Sequence, residues 1–213
     1  VQPCGEGSLK VVSMGHLVDD EETALMWRGL MLNRAVQHFL EDVSWGEMDY
    51  LLIDMPPGTG DVQMGLARML PRAEMIVVTT PARSAQKVAV RAVSMARKSY
   101  LRVVGVIENM SSFECEHGSS YELFGSGGGA QLAHDAGIPL LGRVPIEPSV
   151  ARGGDDGRPV ALGTGPAATA FREIADRLVE DYVPPADMAG CSARMLEAAL
   201  AALDAQATEA TST

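Results

Sequence analysis

Asp54 closes an unbroken apolar run, Tyr50-Leu51-Leu52-Ile53, and opens the string Asp54-Met55-Pro56-Pro57-Gly58-Thr59-Gly60-Asp61. An acid at the carboxyl end of a buried strand stands where open α/β sheets bind ligands. There it can hold a magnesium ion, usually through water, beside a bound phosphate. The glycines that follow can bring backbone N–H groups against a phosphate with no Cβ in the way. The plain alternative is a strand-ending Asp before a Pro-Gly turn. An apolar run followed by Asp alone favours that alternative, but the full DMPPGTGD string favours chemistry.

Such a motif works only if strands and helices hold it, and the pattern along the chain supplies both. Apolar runs at Leu9–Met14, Tyr50–Ile53, Met75–Thr79, Val103–Ile107 and Leu140–Val144 read as strands, the one at Tyr50–Ile53 as buried on both faces. Between them lie helical patterns. One runs from Leu32 through Ala35, Val36, Phe39, Leu40 and Val43 and stops at Trp45-Gly46; others span Val62–Met69, Ser84–Ser99, Ala130–Asp135 and Pro166–Tyr182. A polar, glycine- and serine-rich insert occupies Ser111–Gly127. Alternation of this kind predicts an α/β fold, a mostly parallel sheet with helices on both faces. The expected organisation is a nucleotide-binding domain over residues 1–185, an alanine-rich helix within 186–204, and a disordered tail at 205–213 with no core-forming residues.

Composition narrows the partners. The 213 residues carry 17 basic and 28 acidic side chains, a net charge of −11, with the acids spread along the chain. No basic patch is visible that would neutralise nucleic-acid phosphates or seat on an anionic membrane, so neither partner is expected. Cys4, Cys115 and Cys191 are odd in number and far apart, which points to a reducing, cytoplasmic compartment rather than a disulfide framework. No stretch is long and apolar enough to span a bilayer, and the chain starts at Val1 without a basic-then-apolar leader.

Five stretches then occur in order: DYLLIDMPPGTGD, TTPARSAQKVAVRA, GVIENMS, FGSGGG, and GRVPIEPSV followed by GGDDGRPV. Together, over roughly Leu9 to Val160, they resemble the Mrp family of iron–sulfur cluster carrier ATPases, relatives of MinD and ParA in the deviant P-loop group. The resemblance implies a homodimeric P-loop NTPase that uses ATP with Mg2+, holds a labile cluster and passes it to apo iron–sulfur proteins. Carried onto this chain, Asp54 resembles the magnesium-side Asp. Gly58, Thr59, Gly60 and Asp61 resemble the second switch, which senses the terminal phosphate. Asn109 resembles the residue that reads the adenine edge, a task suited to an amide that offers donor and acceptor together. Without the resemblance, Asn109 reads as a turn former ending a strand. Pro145, Ile146 and Glu147 resemble the loop that passes over the adenine ring.

Two features of the family pattern are absent. No glycine-rich loop ending in Gly-Lys-Ser/Thr occurs in the 213 residues, and the cluster Gly125–Gly129 has no lysine after it. The resemblance places that loop, its signature lysines and the first-switch Asp before Val1, so the fold is expected to lack its first strand. With nothing to neutralise the transferred phosphoryl group, the chain alone is expected not to hydrolyse ATP. The family also often carries a Cys-x-x-Cys pair in the insert, two protomers together giving four thiolates to one 4Fe–4S cluster. Here the insert reads Cys115-Glu116-His117-Gly118, with Gly118 where the second Cys would stand. Cys115 is the candidate metal ligand, and a free surface thiol is the alternative. The two readings of the chain are an ATP-binding cluster carrier and a non-catalytic interaction module with degenerate nucleotide and cluster sites.

Overall fold

The computed structural model describes residues 9–13, 29–55 and 60–184. The strands over the second half of these residues form one sheet. β1 (Glu74–Thr79) runs parallel to β2 (Arg102–Glu114), and β2 runs parallel to β4 (Leu140–Ile146) on its other side. β3 (Ser120–Tyr121) pairs antiparallel with the far end of β2, so that the insert is a hairpin growing out of the central strand. The expected strand over Val103–Ile107 is therefore the first half of a longer one.

Helices cover both faces, as the alternating pattern requires. α3 (Arg83–Lys98) and α4 (Gly128–Ala136) pack on one face, where Val77, Ala89, Val93, Val106, Leu132 and Ala133 form a core. α3 buries Ala89, Val93 and Ala96, a spacing of four and three residues that leaves the opposite side in solvent. α6 (Pro166–Arg177) covers the other face with a second core of Val104, Leu141, Val144, Ala167 and Ile174. Val106 is wholly buried in the central strand, and burial of a valine side chain is worth roughly 1.5–3 kcal/mol. Gly142 lets β4 and α6 close up. A Cβ at that position would lie 2.4 Å from Ile174 Cγ1.

Before the sheet, α1 (Gly29–Glu41) packs against α2 (Asp61–Met69). Trp45 donates its indole N–H to the Phe39 carbonyl at 2.8 Å, tying the chain back on α1 where the apolar periodicity ends. One helix was not foreseen: α5 (Pro148–Asp155), with Pro148 at its first turn and two glycines, Gly153 and Gly154, that argue against a helix on propensity alone. The expected helix over Pro166–Tyr182 ends as an α-helix at Arg177 and continues through Leu178–Tyr182 as a wider π-type turn.

Two expected strands are corrected. Residues 9–13 form no strand, with Leu9 and Val11 exposed; Met14 lies outside the described residues. Tyr50–Ile53 is not a buried strand either. It has no ladder partner among the described residues, and exposure along it runs from 38% at Ile53 to 84% at Leu52. Strand formation needs a partner edge for the backbone as well as an apolar pattern. Tyr50 is held instead by its hydroxyl, which donates to the Val183 carbonyl at 2.8 Å. The expected C-terminal helix and tail lie outside the described residues.

Candidate functional site

Because β1, β2 and β4 are parallel, their carboxyl ends share one edge of the sheet, the edge where open α/β sheets bind ligands. Thr79 pairs with Glu108, and Asn109 pairs with Val144, so the chain reaches that edge at three adjacent points. Asn109 is half-buried there, and its side-chain carbonyl accepts the Met110 N–H at 2.9 Å. Met110 follows with φ of 56°, a left-handed value unusual for a side-chain-bearing residue. The amide NH2 of Asn109 stays free of partners among the described residues and is available as a donor.

Beside Asn109 lies Glu108, a residue the sequence reading did not single out. Its carboxylate is almost completely buried, accepts the Gly129 N–H at 2.5 Å and pairs with Arg143 Nε at 3.2 Å. A carboxylate at the N-terminus of α4 meets unpaired N–H groups and the positive end of the helix dipole. The glycine cluster before α4 therefore receives an anion from within the chain. Gly129 is needed for this contact, since a Cβ there would lie 2.7 Å from Glu108 Cβ. The clue in the sequence was an acid directly after a buried apolar run, with a Gly-Gly helix start about twenty residues later. Glu108 ties β2, β4 and α4 together directly behind Asn109.

Pro145 and Ile146 were expected in a loop and instead complete β4, with Ile146 paired to Phe113. One more ladder pair, past an irregularity, is possible because β2 also runs on into the hairpin. Glu147 precedes α5, and its carboxylate points to α6. It accepts the Ala167 N–H at 2.9 Å and the Ser149 hydroxyl at 3.0 Å. α6 opens with Pro166 and has no side-chain cap of its own, so Glu147 serves as its cap from a distant part of the chain.

Asp54 is exposed in the unpaired stretch after Ile53. Gly60 precedes α2 with an extended backbone, and Asp61 is the first residue of that helix, which has no side-chain cap. A helix start is a general place for an anion. Gly58 and Thr59 lie outside the described residues. The structure brings Asn109, Pro145, Ile146 and Glu147 to one edge. No strand pairing among the described residues joins Asp54, Gly60 or Asp61 to it.

Cys115 stands at the tip of the β2–β3 hairpin. Its N–H donates to the Ser119 carbonyl at 3.0 Å, and its carbonyl accepts the Gly118 N–H at 2.9 Å. The thiol is held below its ordinary pKa, first by the backbone N–H of His117 and then by that of Ser119, with slight burial opposing. This tight turn settles what Gly118 does. Its φ is +76°, a conformation that favours glycine, although the space around it is open. Among the described residues no three His, Cys, Asp or Glu side chains converge to hold a metal ion. Cys115 alone therefore does not make a complete cluster site among the described residues. No helix among the described residues is long and apolar enough to cross a membrane.

Comparison with known proteins follows the same lines. Residues 1–179 match the family model described as ParA, NUBPL iron-transfer P-loop NTPase. An iron–sulfur cluster carrier protein of Mycobacterium leprae is 43% identical over 178 residues, covering 80% of this chain and 46% of that protein. One from Saccharolobus solfataricus is 39% identical over 180 residues, covering 83% and 61%. The chain thus spans about half the length of the curated relatives it matches. Among solved structures, a nucleotide-binding protein from Archaeoglobus fulgidus in complex with ADP aligns with a TM-score of 0.55 and 36% identity, over 61% of this chain and 54% of that one. The cell division ATPase MinD from Pyrococcus furiosus aligns with a TM-score of 0.51 at 21% identity, over 69% and 56%, which reflects the shared fold.

Proposed function

The chain belongs to the ParA family of NUBPL iron-transfer P-loop NTPases, and on that premise we propose that it is the nucleotide- and cargo-facing part of an ATP-dependent iron–sulfur cluster carrier. The observation that carries this reading is the shared carboxyl edge of β1, β2 and β4, where Asn109 keeps a free amide donor and Glu108 holds it in place. In this proposal Asn109 meets the base, the start of α2 with Gly60 and Asp61 faces the phosphates, and Asp54 stands by Mg2+. Pro145 and Ile146 wall the base side as the end of β4, and Glu147 shapes that wall by capping α6. Magnesium, when bound, would neutralise charge on the phosphates; the residues of this chain would supply base contact and position.

The iron–sulfur cluster is cargo. Cys115, with its thiol already polarised by the turn, is the one described thiol placed to hold it. Two chains would bring two such thiolates, fewer than the four of a typical cluster. The carrier is proposed to work as a homodimer in the cytoplasm and to deliver to apo iron–sulfur proteins. No lysine-bearing phosphate loop occurs in these 213 residues, and the chain by itself is proposed to bind ATP weakly without hydrolysing it.

Titration with a fluorescent ATP analogue and a phosphate-release assay test this together. Weak binding that Asn109→Ala removes, without turnover, is expected. Turnover that Asp54→Ala abolishes would overturn the inactive reading, and binding unaffected by Asn109→Ala would overturn the site. A second reading, a non-catalytic interaction module, is favoured by the single thiolate. It is supported if anaerobic reconstitution leaves no iron bound and nucleotide binding is absent.

A further inference from the structure

We propose that the exposed face of α3 is a docking surface for an acidic, partly apolar segment of another protein. The chain as a whole is strongly acidic, but α3 is not. Its 16 residues include Arg83, Lys87, Arg91, Arg97 and Lys98 and no carboxylate, so it holds 5 of the 17 basic side chains and none of the 28 acidic ones. Arg83, Lys87 and Arg91 recur every four residues, and Ser94 and Lys98 continue the row. At 3.6 residues per turn these positions share one face, which is the face that Ala89, Val93 and Ala96 leave in solvent. The whole-chain charge concealed this patch from the sequence reading.

Helix stability accounts for Arg97 and Lys98, which lie in the last turn where the dipole favours cations, but not for Arg83, Lys87 and Arg91. None of the five cations is within ion-pair distance of a carboxylate among the described residues, and Arg97 makes only a hydrogen bond to the Ala136 carbonyl. Like charges four residues apart on a helix repel. Arg83 also sits in the first turn, where the helix dipole disfavours a cation. A row of three cations that breaks two local rules, with no carboxylate beside it among the described residues, is a place to look for an external partner.

The adjoining surface narrows the chemistry of that partner. Between α3 and α4 lies a groove of about 280 Å³, floored by Val90, Val93, Leu132 and Ala136 and rimmed by Arg97 and Lys98. The one acid beside it, Asp135, is engaged by Gln131 at 2.7 Å and His134 at 3.3 Å. Val88 and Val90 stand half-exposed between the cations, and Tyr100, just past the helix, is 94% exposed. A cation row beside an apolar groove suits a short segment with carboxylates along one side and apolar side chains along the other. A nucleic acid or an anionic bilayer is a less good match, because the chain carries 28 acidic side chains against 17 basic ones and an extended polyanion would meet that excess beyond α3. The inference does not depend on nucleotide or cluster binding.

The test uses the full chain and a labelled synthetic peptide with glutamates on one helical face and leucines on the other, followed by fluorescence anisotropy. Binding is expected, weakening as salt rises. The variant Arg83→Glu/Lys87→Glu/Arg91→Glu should lose about tenfold or more in affinity, whereas Arg152→Glu/Arg158→Glu, elsewhere on the surface, should change it less than about twofold. Val90→Ser should weaken binding while leaving its salt dependence unchanged. Should the triple variant fail to fold, Lys87→Gln/Arg91→Gln carries the same comparison. The proposal falls if the peptide does not bind, or if the α3 variants bind it as well as the parent chain. It also falls if a short DNA duplex or phosphatidylglycerol vesicles bind more tightly than the peptide and lose that binding through the same substitutions.

Discussion

Tyr50–Ile53 with Asp54 and Val103–Ile107 with Glu108 are built alike: an apolar run that ends in an acid. In the structure they differ in almost every respect. The second run is the central strand of a parallel sheet, paired on both sides and covered by α3 and α4 on one face and α6 on the other. Its acid is buried and anchored to a helix start and an arginine. The first run has no ladder among the described residues, and its acid is exposed. An apolar run shows that a segment can be buried; whether it is depends on the edges and faces that other segments offer.

The largest expected contrast lies between the two acids. Glu108→Ala should cost about 2 kcal/mol in urea denaturation, since it leaves the buried Gly129 N–H without its acceptor, while the half-exposed Arg143 returns to water. Asp54→Ala should fall within about 0.5 kcal/mol of the parent. Equal effects would mean that Asp54 is packed in solution and that the contrast is wrong.

Next comes the closeness of packing around the central strand. Gly142→Ala places a methyl group where Ile174 already stands and should cost about 2 kcal/mol. A neutral result would show that α6 yields easily, leaving the sheet less tightly closed than its two cores suggest.

A smaller effect is expected at the hairpin turn. Gly118→Ala meets no steric neighbour but must adopt a left-handed backbone, costing about 1 kcal/mol. Gly118→Cys bears the same strain, so any gain in iron retention after anaerobic reconstitution should come with a lower melting temperature. Retention gained at full stability would show that the turn rearranges.

Cys115 supplies a pH signature. Its thiol lies below the ordinary value when folded, so iodoacetamide should alkylate it at lower pH in the native chain than in urea. By the same sign, the thiolate's contribution to stability is present above the unfolded thiol's pKa and is lost as pH falls through the folded value. Identical alkylation profiles in the two states would remove the turn's N–H groups as the cause.

The smallest change is expected where the sequence looks most apolar. Leu52→Lys should alter stability by less than about 0.5 kcal/mol and reduce light scattering, because that side chain is already in water. A large loss of stability would bring the first run back into a buried strand and end the comparison.

Much of the fold was legible in the sequence because it rests on local signals. Periodicity located α1, α2, α3, α4 and the start of α6 to within a few residues, and the runs at Met75–Thr79 and Leu140–Val144 became strands near their expected bounds. The ordered motifs were enough to point to the family, since they are strings of residues and need no third dimension. Tertiary structure decided the rest. The tie of Tyr50 to Val183, the extension of β2 into the hairpin, the conversion of Pro145 and Ile146 from loop to strand, and the use of Glu147 as a cap for α6 all depend on segments distant in sequence. So do the Glu108 anchor and the cationic face of α3, which exist only once one helix start meets one carboxylate and one helix turns its apolar side inward. Local preference is written residue by residue, whereas hydrogen-bond partners and exposed faces are set by which elements come together.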